Sequence, residues 1–279
     1  YHPNHSEALA LLESLQPGPS AGDGAYDSDD LLRVARAYTM VGEKRLRSLY
    51  QHAKTLCEQD IPGHFVEYGV AADITHKPAL EECLATILKM HGHFDGLINN
   101  AANNPKMEAG ADTGWLRFEN LPLEIWEQDL AVGLTGAFLC AQVFGSAMAK
   151  ASGGAIVNIA SDLSLIGPDQ RLYRQPDLAE DQQPVKPVTY SVVKTGLLGL
   201  TRYLATYWAN QGVRVNAISP GGVANDQPAK FVEKLTERIP MGRMARPDEY
   251  RDAMVFLLSE SSSYMTGANL VMDGGRTVW

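Results

Sequence analysis

The stretch Gly154-Ala-Ile-Val-Asn-Ile-Ala160 decides the fold of this chain, because it is a short apolar run with a long helical pattern on each side. A run of this length that is rich in β-branched residues predicts a buried strand. The flanking patterns predict helices over residues 123–151 and 187–210. A strand between two long helices indicates a parallel sheet with helices packed on its faces.

The same alternation continues outward in both directions. Four more runs are typical of strands, namely residues 64–72, 94–99, 213–218 and 269–272, and two more patterns are typical of helices, namely 77–90 and 247–260. We therefore predict a doubly wound, parallel, Rossmann-like α/β sheet over residues 64–279. Residues 1–63 combine helical patterns with a linker rich in Pro, Gly, Ser and Asp, which predicts a helical N-terminal extension.

The composition excludes several classes of protein. Of the 279 residues, 45% are hydrophobic and 20% are charged, as in an ordinary globular protein. The net charge of −9 argues against a nucleic-acid partner and against an anionic membrane surface. The longest apolar stretch, residues 188–209, is interrupted by Lys194 and Arg202 and predicts a buried helix, not a membrane span.

Cysteine and histidine usage narrows the chemistry. The three cysteines are far apart, and residues 1–30 carry acids and prolines in place of a signal peptide, so we expect a cytoplasmic protein. All seven histidines lie at or before residue 93, which argues against a Ser-His hydrolase and against a zinc enzyme in the later strands and helices. The pair His91-Gly-His93 favours a loop, and we expect no metal site.

The sharpest chemical signal is Tyr190-Ser-Val-Val-Lys194 on a predicted helix. A spacing of four residues places both side chains on one face of the helix. A lysine ammonium near a phenol favours the phenolate, which lowers the pKa of the tyrosine toward the working pH. Such a tyrosine can give or take a proton while a hydride moves. Taken alone, the pair is also consistent with an ordinary Tyr and Lys on a helix.

Polar and turn-forming residues follow three of the predicted strands. Ser161 follows the strand at 154–160, Asn99-Asn100 ends the strand at 94–99, and Pro220-Gly221 follows the strand at 213–218. Ligand sites of open parallel sheets lie at the carboxyl ends of strands. A serine hydroxyl there can bind a substrate oxygen, and Pro and Gly let the backbone approach a flat ligand. Each motif alone is also ordinary turn chemistry.

Together these motifs resemble the short-chain dehydrogenase/reductase family. They occur in the order of that family over some 200 residues, as Asn99-Asn-Ala-Ala, Ser161, Tyr190-x-x-x-Lys194, Asn216-Ala-Ile-Ser-Pro-Gly and the tail Met265 to Gly275. The resemblance implies hydride transfer between NAD or NADP and a small-molecule carbonyl or hydroxyl substrate. It further implies a homodimer or homotetramer that pairs the helices after Leu123 and Pro187.

The resemblance also implies a role for individual residues. Tyr190 would be the acid/base, Lys194 would lower its pKa and hold the nicotinamide ribose, and Ser161 would orient the substrate. The residues implied to contact the cofactor are Asp73, Asn99, Ala101, Lys194, Pro220, Gly221 and Val223.

The N-terminal part departs from that family. The family opens with a strand and a Thr-Gly-x-x-x-Gly-x-Gly loop that holds the pyrophosphate at a helix N-terminus. The only stretch with this glycine spacing, Gly18 to Gly24, contains Pro19 and is followed by acids that would repel phosphates. We interpret it as a linker and expect the sheet to lack the usual first strand or strands.

Residues 31–70 resemble a different family, the N-terminal part of the macrocin-type O-methyltransferases. The resemblance rests on Tyr38-Thr-Met-Val-Gly-Glu-Lys-Arg-Leu-Arg47 and on Ile61-Pro-Gly-His-Phe-Val-Glu-Tyr-Gly-Val70. In those enzymes the strand leads into a glycine loop that binds S-adenosylmethionine. Here Ala71-Ala72 passes directly into Asp73, and that loop is absent.

Two further departures lie near the implied site. Gly133 stands where the family usually has an asparagine that supports a proton-relay water. The insertion between Ser161 and Tyr190, residues 167–186, resembles reductases of flagellin-glycan and nonulosonic-acid pathways. We predict that it folds over the active site and that Arg171 and Arg174, which flank Tyr173, meet an anionic sugar or sugar nucleotide; the alternative is a solvated surface loop.

Three functions remain open at this point. The leading hypothesis is an NAD(P)-dependent oxidoreductase. The second is a catalytically impaired reductase-like scaffold or fusion that lacks the dinucleotide phosphate loop, and the third is an O-methyltransferase. Binding of a nicotinamide cofactor separates the first two, and binding of S-adenosylmethionine would favour the third.

Overall fold

The computed structural model describes residues 73–103, 114–225 and 227–279, together with the backbone of Phe65–Glu67. The predicted helical patterns before residue 62 and the segment Gly18–Gly24 lie outside the described residues. Within them, five parallel strands form one sheet in sequence order: β1 Phe65–Glu67, β2 Gly96–Asn99, β3 Gly154–Ile159, β4 Val213–Pro220 and β5 Asn269–Met272. These five strands lie within the five apolar runs that predict them, with β4 extending two residues further, and the first is described over Phe65–Glu67.

Five helices connect and cover these strands in the described part of the chain: α1 Lys77–His91, α2 Leu123–Lys150, α3 Val188–Trp208, α4 Ala229–Thr236 and α5 Arg251–Leu258. Local chemistry fixes several of their ends. A proline lies in the first turn of α1, and α1 stops at Gly92, whose positive φ of 78° suits glycine. Pro187 immediately precedes α3.

The core has one layer on each face of the sheet. On the first face, α1, α2 and α3 pack against the strands, with Leu97, Ile156 and Val215 paired in register across β2, β3 and β4. On the opposite face, Leu257 of α5 packs against Ala155 and Val157. Helices therefore cover both faces of a parallel sheet, which is the predicted Rossmann-like α/β fold.

Helix α2 is long and apolar enough to cross a membrane by length and composition, and no other helix in the described residues is. Its buried residues Cys140, Phe144 and Met148 nevertheless belong to the core that also contains Ile156 of β3. This is the packing of a core helix. Two π-helical turns, Ala131–Thr135 and Ala141–Gly145, interrupt its α-helical pattern.

Helix α4 does not appear among the predicted elements, and it holds the insertion in place. Leu235 of α4 is buried with Leu172 of the insertion, and Phe231 lies against Tyr173 with 5.6 Å between ring centroids. The insertion itself is compact, with short 3-10 turns at Gln170–Leu172 and Glu180–Gln182. The insertion is thus anchored through Leu172 and Tyr173, while its residues 176–182 are exposed.

Candidate active site

The carboxyl ends of β2, β3 and β4 lie side by side, and they bring the predicted site residues to one edge of the sheet. Asn99 is paired in register with Asn158 of β3, and Ile159 is paired with Ile218 of β4. Ser161 is the second residue after the end of β3, and Pro220 is the last residue of β4. This is the edge at which open parallel sheets bind their ligands.

Ser161 is only 5% exposed, and a neighbouring acid fixes its hydroxyl. Its Oγ donates to Asp162 Oδ1 at 2.8 Å and accepts from the backbone N–H of Leu163 at 3.2 Å. Asp162 is in turn paired with Arg276, whose Nη1 lies 2.6 Å from Asp162 Oδ2 in a buried salt bridge. Because the serine proton is held by the carboxylate, the free capacity of Ser161 Oγ is that of a hydrogen-bond acceptor.

Tyr190 and Lys194 lie in the first turns of α3, on the face that looks toward the end of β3. Lys194 is buried, and its Nζ donates to the carbonyl oxygen of Ile159 at 2.7 Å. The same Nζ lies 5.8 Å from the centroid of the Tyr190 ring. Burial and, to a smaller extent, the positive charge of Lys186 together lower the pKa of Lys194 to about 8. Lys194 therefore remains mostly charged at neutral pH and favours the phenolate form of Tyr190.

Three residues of this site, Asp162, Arg276 and Lys186, are not indicated by the sequence motifs that predict the others. Asp162 and Arg276 are 114 positions apart, so no local pattern joins them. Lys186 lies at the end of the insertion, and its Nζ sits 3.8 Å from the centroid of the Tyr190 ring. A lysine four residues before Tyr190 is the one signal that could have indicated this contact, since the sequence reading considered only the lysine four residues after it.

Gly133 lies at the centre of the first π-helical turn of α2 and faces Val193 of α3. A Cβ atom at position 133 would stand 2.4 Å from Val193 Cγ1, which is far closer than two carbon atoms can approach. Val193 thus occupies the space that a side chain at 133 would need. A side chain at position 133 would therefore require Val193 to move. Val193 directly precedes Lys194, whose Nζ donates to the carbonyl oxygen of Ile159.

The turn after β4 is built for close backbone packing. The N–H of Gly221 donates to the carbonyl of Met272 at 2.9 Å, and a Cβ at Gly221 would stand 2.8 Å from the Cα of Asp273. Tyr250 Oη donates to the carbonyls of Gly221 and Met272, and Val223 forms a parallel bridge with Ala245. These contacts hold the turn rigidly at the edge of the site.

The remaining predicted cofactor contacts lie on the β2 side of the same edge. The Asn99 side chain donates to Asn158 Oδ1 at 2.8 Å and is buried, so it ties β2 to β3. Asn99 and Ala101 line one narrow crevice with Ile74. Asp73 is exposed, and its carboxylate accepts hydrogen bonds from the backbone and hydroxyl of Thr75.

These residues fit the nicotinamide end of a dinucleotide. A buried lysine amine, the Pro220–Gly221 turn and a narrow crevice lined by Asn99 and Ala101 lie along the edge at which open parallel sheets bind their ligands. Lys194, Ala101 and the Pro220–Gly221 turn would hold the cofactor there.

The arginines predicted to meet an anionic substrate are engaged elsewhere. Arg171 is 76% exposed and binds Asp169 through Nε at 2.8 Å. Arg174 forms an ion pair with Glu180 within the insertion. Asp169 also accepts from Arg238 Nε at 2.6 Å, which ties the insertion to the segment after α4. The insertion contacts Tyr190 through Lys186 and not through Arg171 or Arg174.

A parallel sheet with Tyr190 and Lys194 at its carboxyl edge is the arrangement that the resemblance to the short-chain dehydrogenase/reductase family implies. Residues 35–173 match the family described as short chain dehydrogenase, and residues 178–277 match the family described as Enoyl-(Acyl carrier protein) reductase. The chain belongs to the short-chain dehydrogenase/reductase family, and is thereby an NAD(P)-dependent oxidoreductase. The first match includes residues 35–70, for which the sequence also offered the methyltransferase resemblance.

Similar proteins agree with this assignment. The chain is 35% identical over 273 residues to D-threitol dehydrogenase from Mycolicibacterium smegmatis, covering 95% of this chain and 92% of that protein. It is 34% identical to NAD-dependent glycerol dehydrogenase from Listeria innocua, covering 75% of each. A crystal structure of a short-chain dehydrogenase from Leptospira borgpetersenii with bound NAD+ superposes with a TM-score of 0.65 at 31% identity, again covering 75% of each chain.

Proposed function

We propose that this chain oxidises a secondary hydroxyl of a polyol or sugar alcohol to the ketone, with NAD or NADP as the oxidant. The observation that carries the proposal is the orientation of Ser161, whose hydroxyl donates to Asp162 and so offers a lone pair to a hydroxyl of the substrate. A substrate with a second hydroxyl beside the reacting carbon can supply that donor. The names of the threitol and glycerol dehydrogenases point to the same class of substrate.

The chain's own residues account for the movement of the proton. The phenolate of Tyr190 would take the proton of the reacting hydroxyl, and Lys194 would stabilise that phenolate through its charge. Ser161 would hold the neighbouring hydroxyl, which fixes the carbon that is oxidised. The bound cofactor supplies the acceptor for the hydride that leaves the same carbon, so the alcohol loses two electrons and two hydrogens in all.

The remaining site residues belong to the same proposal. Asp73, Asn99, Ala101, Lys194, Pro220, Gly221 and Val223 would contact the cofactor. We further propose that the enzyme works in the cytoplasm as a homodimer or homotetramer, and that residues 1–63 form an extension to the Rossmann domain of residues 64–279.

A matched pair of substrates tests the role of Ser161. Butane-2,3-diol and butan-2-ol differ only in the neighbouring hydroxyl, and one satisfied hydrogen bond at a buried site is worth about 1–3 kcal/mol, or roughly 5- to 100-fold in kcat/KM. We expect the diol to be preferred by that factor, and Ser161→Ala to reduce the preference. Equal oxidation of both alcohols by the natural protein would contradict the proposal.

Cofactor binding should be measured first, because every other step depends on it. Titration with NADH and NADPH, followed by nicotinamide fluorescence, should give saturable binding of at least one of them. Tyr190→Phe should bind the cofactor normally and lose oxidation of the diol. Absence of binding at millimolar cofactor would favour the alternative of a reductase-like scaffold.

A second substrate class rests on the resemblance of the insertion to reductases of flagellin-glycan and nonulosonic-acid pathways. That class would be a keto-sugar or sugar nucleotide with an anionic group. The ion pairs of Arg171 and Arg174 with loop carboxylates weigh against it. Reduction of sugar-nucleotide ketones in preference to oxidation of polyols would revive it, and binding of S-adenosylmethionine would revive the methyltransferase alternative.

A further inference from the structure

Lys186 is the one charged residue of the insertion whose side chain reaches the ring of Tyr190. Its Nζ lies 3.8 Å from the ring centroid, closer than the 5.8 Å of Lys194 Nζ. A cation at this distance over an aromatic face is attracted by the electrons of the ring. Deprotonation of the phenol adds negative charge to that ring system, so the attraction is stronger for the phenolate than for the phenol.

The backbone of Lys186 is held in place from the other end of the insertion. The side-chain amide of Gln170 accepts from the N–H of Lys186 at 2.8 Å and donates to its carbonyl at 3.2 Å. Pro187 follows directly and fixes the entry into α3. The fold of the insertion therefore fixes the backbone from which the Lys186 side chain reaches the ring of Tyr190.

The charges around Tyr190 leave an excess of positive charge at the ring. Lys194 of α3 and Lys186 of the insertion are both cationic, and each lies within 6 Å of the ring centroid. Asp162 after β3 also faces Lys186, but its charge is balanced by Arg276 from the C-terminal turn. Tyr173 of the insertion faces Tyr190 as a neutral phenol, and Asp129 of α2 binds the hydroxyl of Thr189.

We propose that Lys186 is a positioning residue of the catalytic site, a second cation which, together with Lys194, stabilises the phenolate of Tyr190. The inference rests on the proposed function only for the role of Tyr190 as base. Burial lowers the pKa of Lys186 to about 8, and Asp162 opposes that change. Lys186 is therefore mostly in its ammonium form at neutral pH, where the phenolate is needed. The repulsion between the ammonium groups of Lys186 and Lys194 is reduced when the phenolate of Tyr190 forms near both of them.

The phenolate can be measured directly, without substrate or cofactor. The absorbance of tyrosinate near 295 nm is recorded from pH 6 to pH 11 for the full chain and for Tyr190→Phe, and the difference gives the titration of Tyr190 alone. The same subtraction is made in the background of Lys186→Met, Lys186→Arg and, as a matched loss of an exposed lysine, Lys150→Met.

We expect Lys186→Met to raise the midpoint of Tyr190 by about one pH unit, a tenfold change in its proton affinity. Lys186→Arg keeps the cation and should leave the midpoint within a few tenths of the natural value, as should Lys150→Met. An unchanged midpoint in Lys186→Met overturns the proposal. So does a raised midpoint in Lys186→Arg, because that result assigns the effect to packing and not to charge.

This readout separates the inference from the proposed function. Circular dichroism shows whether each variant is folded, and if Lys186→Met is not, Lys186→Gln, which also removes the charge, takes its place and should raise the midpoint in the same way. A protein whose Tyr190 titrates as expected but which oxidises no polyol would contradict the proposed substrate and leave the role of Lys186 standing. A protein that oxidises polyols but whose Tyr190 has the same titration midpoint in Lys186→Met would support the proposed substrate and contradict the role of Lys186.

Discussion

At the scale of single residues, Gly133 shows how a departure from the family pattern is tied to a neighbouring side chain, that of Val193. The two positions lie on different helices, and the side chain of Val193 fills the volume above Gly133. A sequence reading finds the glycine and concludes that a hydrogen-bonding side chain is missing. The structure adds that such a side chain has no space unless Val193 is also changed.

A double-mutant cycle tests this coupling. Gly133→Asn should destabilise the protein by about 1–3 kcal/mol through overpacking against Val193, while Val193→Ala alone should cost about 1 kcal/mol or more through lost burial. The double variant should lose less than the sum, with a coupling of at least about 1 kcal/mol in urea unfolding. Additive losses would show that the two side chains do not compete for one space.

The buried pair of Asp162 and Arg276 should be strongly asymmetric in its effect on stability. Arg276→Met removes one partner and leaves an unpaired carboxylate beside Ser161, which should cost about 3–5 kcal/mol. Asp162→Asn together with Arg276→Met leaves no unpaired charge and should recover much of that loss. The free energy of unfolding of the two variants decides the point; a double variant as unstable as Arg276→Met alone would contradict it.

At the scale of elements, the insertion and α4 form one unit beside the site. The hydrophobic contacts of Leu172 and Tyr173 with α4 and the ion pair of Asp169 with Arg238 hold it there. Asp169 accepts from Arg171 and Arg238, which holds the pKa of its carboxyl well below the usual range. The order of this unit should govern how the substrate is bound, because it also carries Lys186.

Asp169→Ala is therefore expected to raise the KM for the polyol several-fold while leaving the Kd for NADH within about twofold. The variant removes the partner of both arginines and loosens the unit on the substrate side only. Arg171→Ala and Arg174→Ala are matched controls, since their side chains point to solvent and to loop carboxylates, and their KM values should be close to that of the natural protein. A large rise in KM for either arginine variant would restore the hypothesis of an anionic substrate.

The turn between β4 and α4 offers a pH-dependent test of the fold. Burial raises the pKa of Tyr250 to about 12, and Asp162 acts in the same direction. A phenol whose pKa is higher in the folded than in the unfolded state contributes stability below about pH 10, and this contribution is lost as the pH rises toward 12. Tyr250→Phe should thus cost about 1 kcal/mol at pH 7 and weaken the fall in stability between pH 10 and 12; an unchanged pH profile would contradict this.

At the scale of the whole molecule, the fold was predictable because its signals are local and repeated. The pattern of apolar residues along the sequence indicates the strands at Gly154–Ile159 and Asn269–Met272 and the helices next to them. Ser161, Tyr190 and Lys194 were predictable because the spacing on α3 and the end of β3 place them without further information. The catalytic edge of the sheet follows from the parallel order of the strands.

What could not be predicted depends on contacts between distant segments. Arg276 meets Asp162 only because β4 and β5 bring the C-terminal turn back to the end of β3, and Lys186 reaches Tyr190 only because Gln170 closes the insertion. The short helix α4 has just eight residues, and its apolar positions are explained by packing on the insertion. Such pairings carry no periodic signal in the sequence.

The assembly of the whole molecule is the last expectation open to test. Tyr203 and Tyr207 of α3 are 63% and 59% exposed, and their rings are stacked with centroids 5.7 Å apart. Phe138 of α2 is exposed as well. Large exposed aromatic residues on the two longest helices of the described residues are typical of a surface that another subunit covers.

Tyr203→Glu with Tyr207→Glu should therefore dissociate the oligomer, because two carboxylates would be buried without partners in the interface. Light scattering after size exclusion should show a dimer or tetramer for the natural protein and a lower mass for the variant. Tyr264→Glu replaces a fully exposed tyrosine outside these helices and should leave the mass unchanged. A natural protein that is already monomeric, or a variant of unchanged mass, would place the subunit contact elsewhere or remove it, and the stacked tyrosines would then be a surface feature of α3 alone.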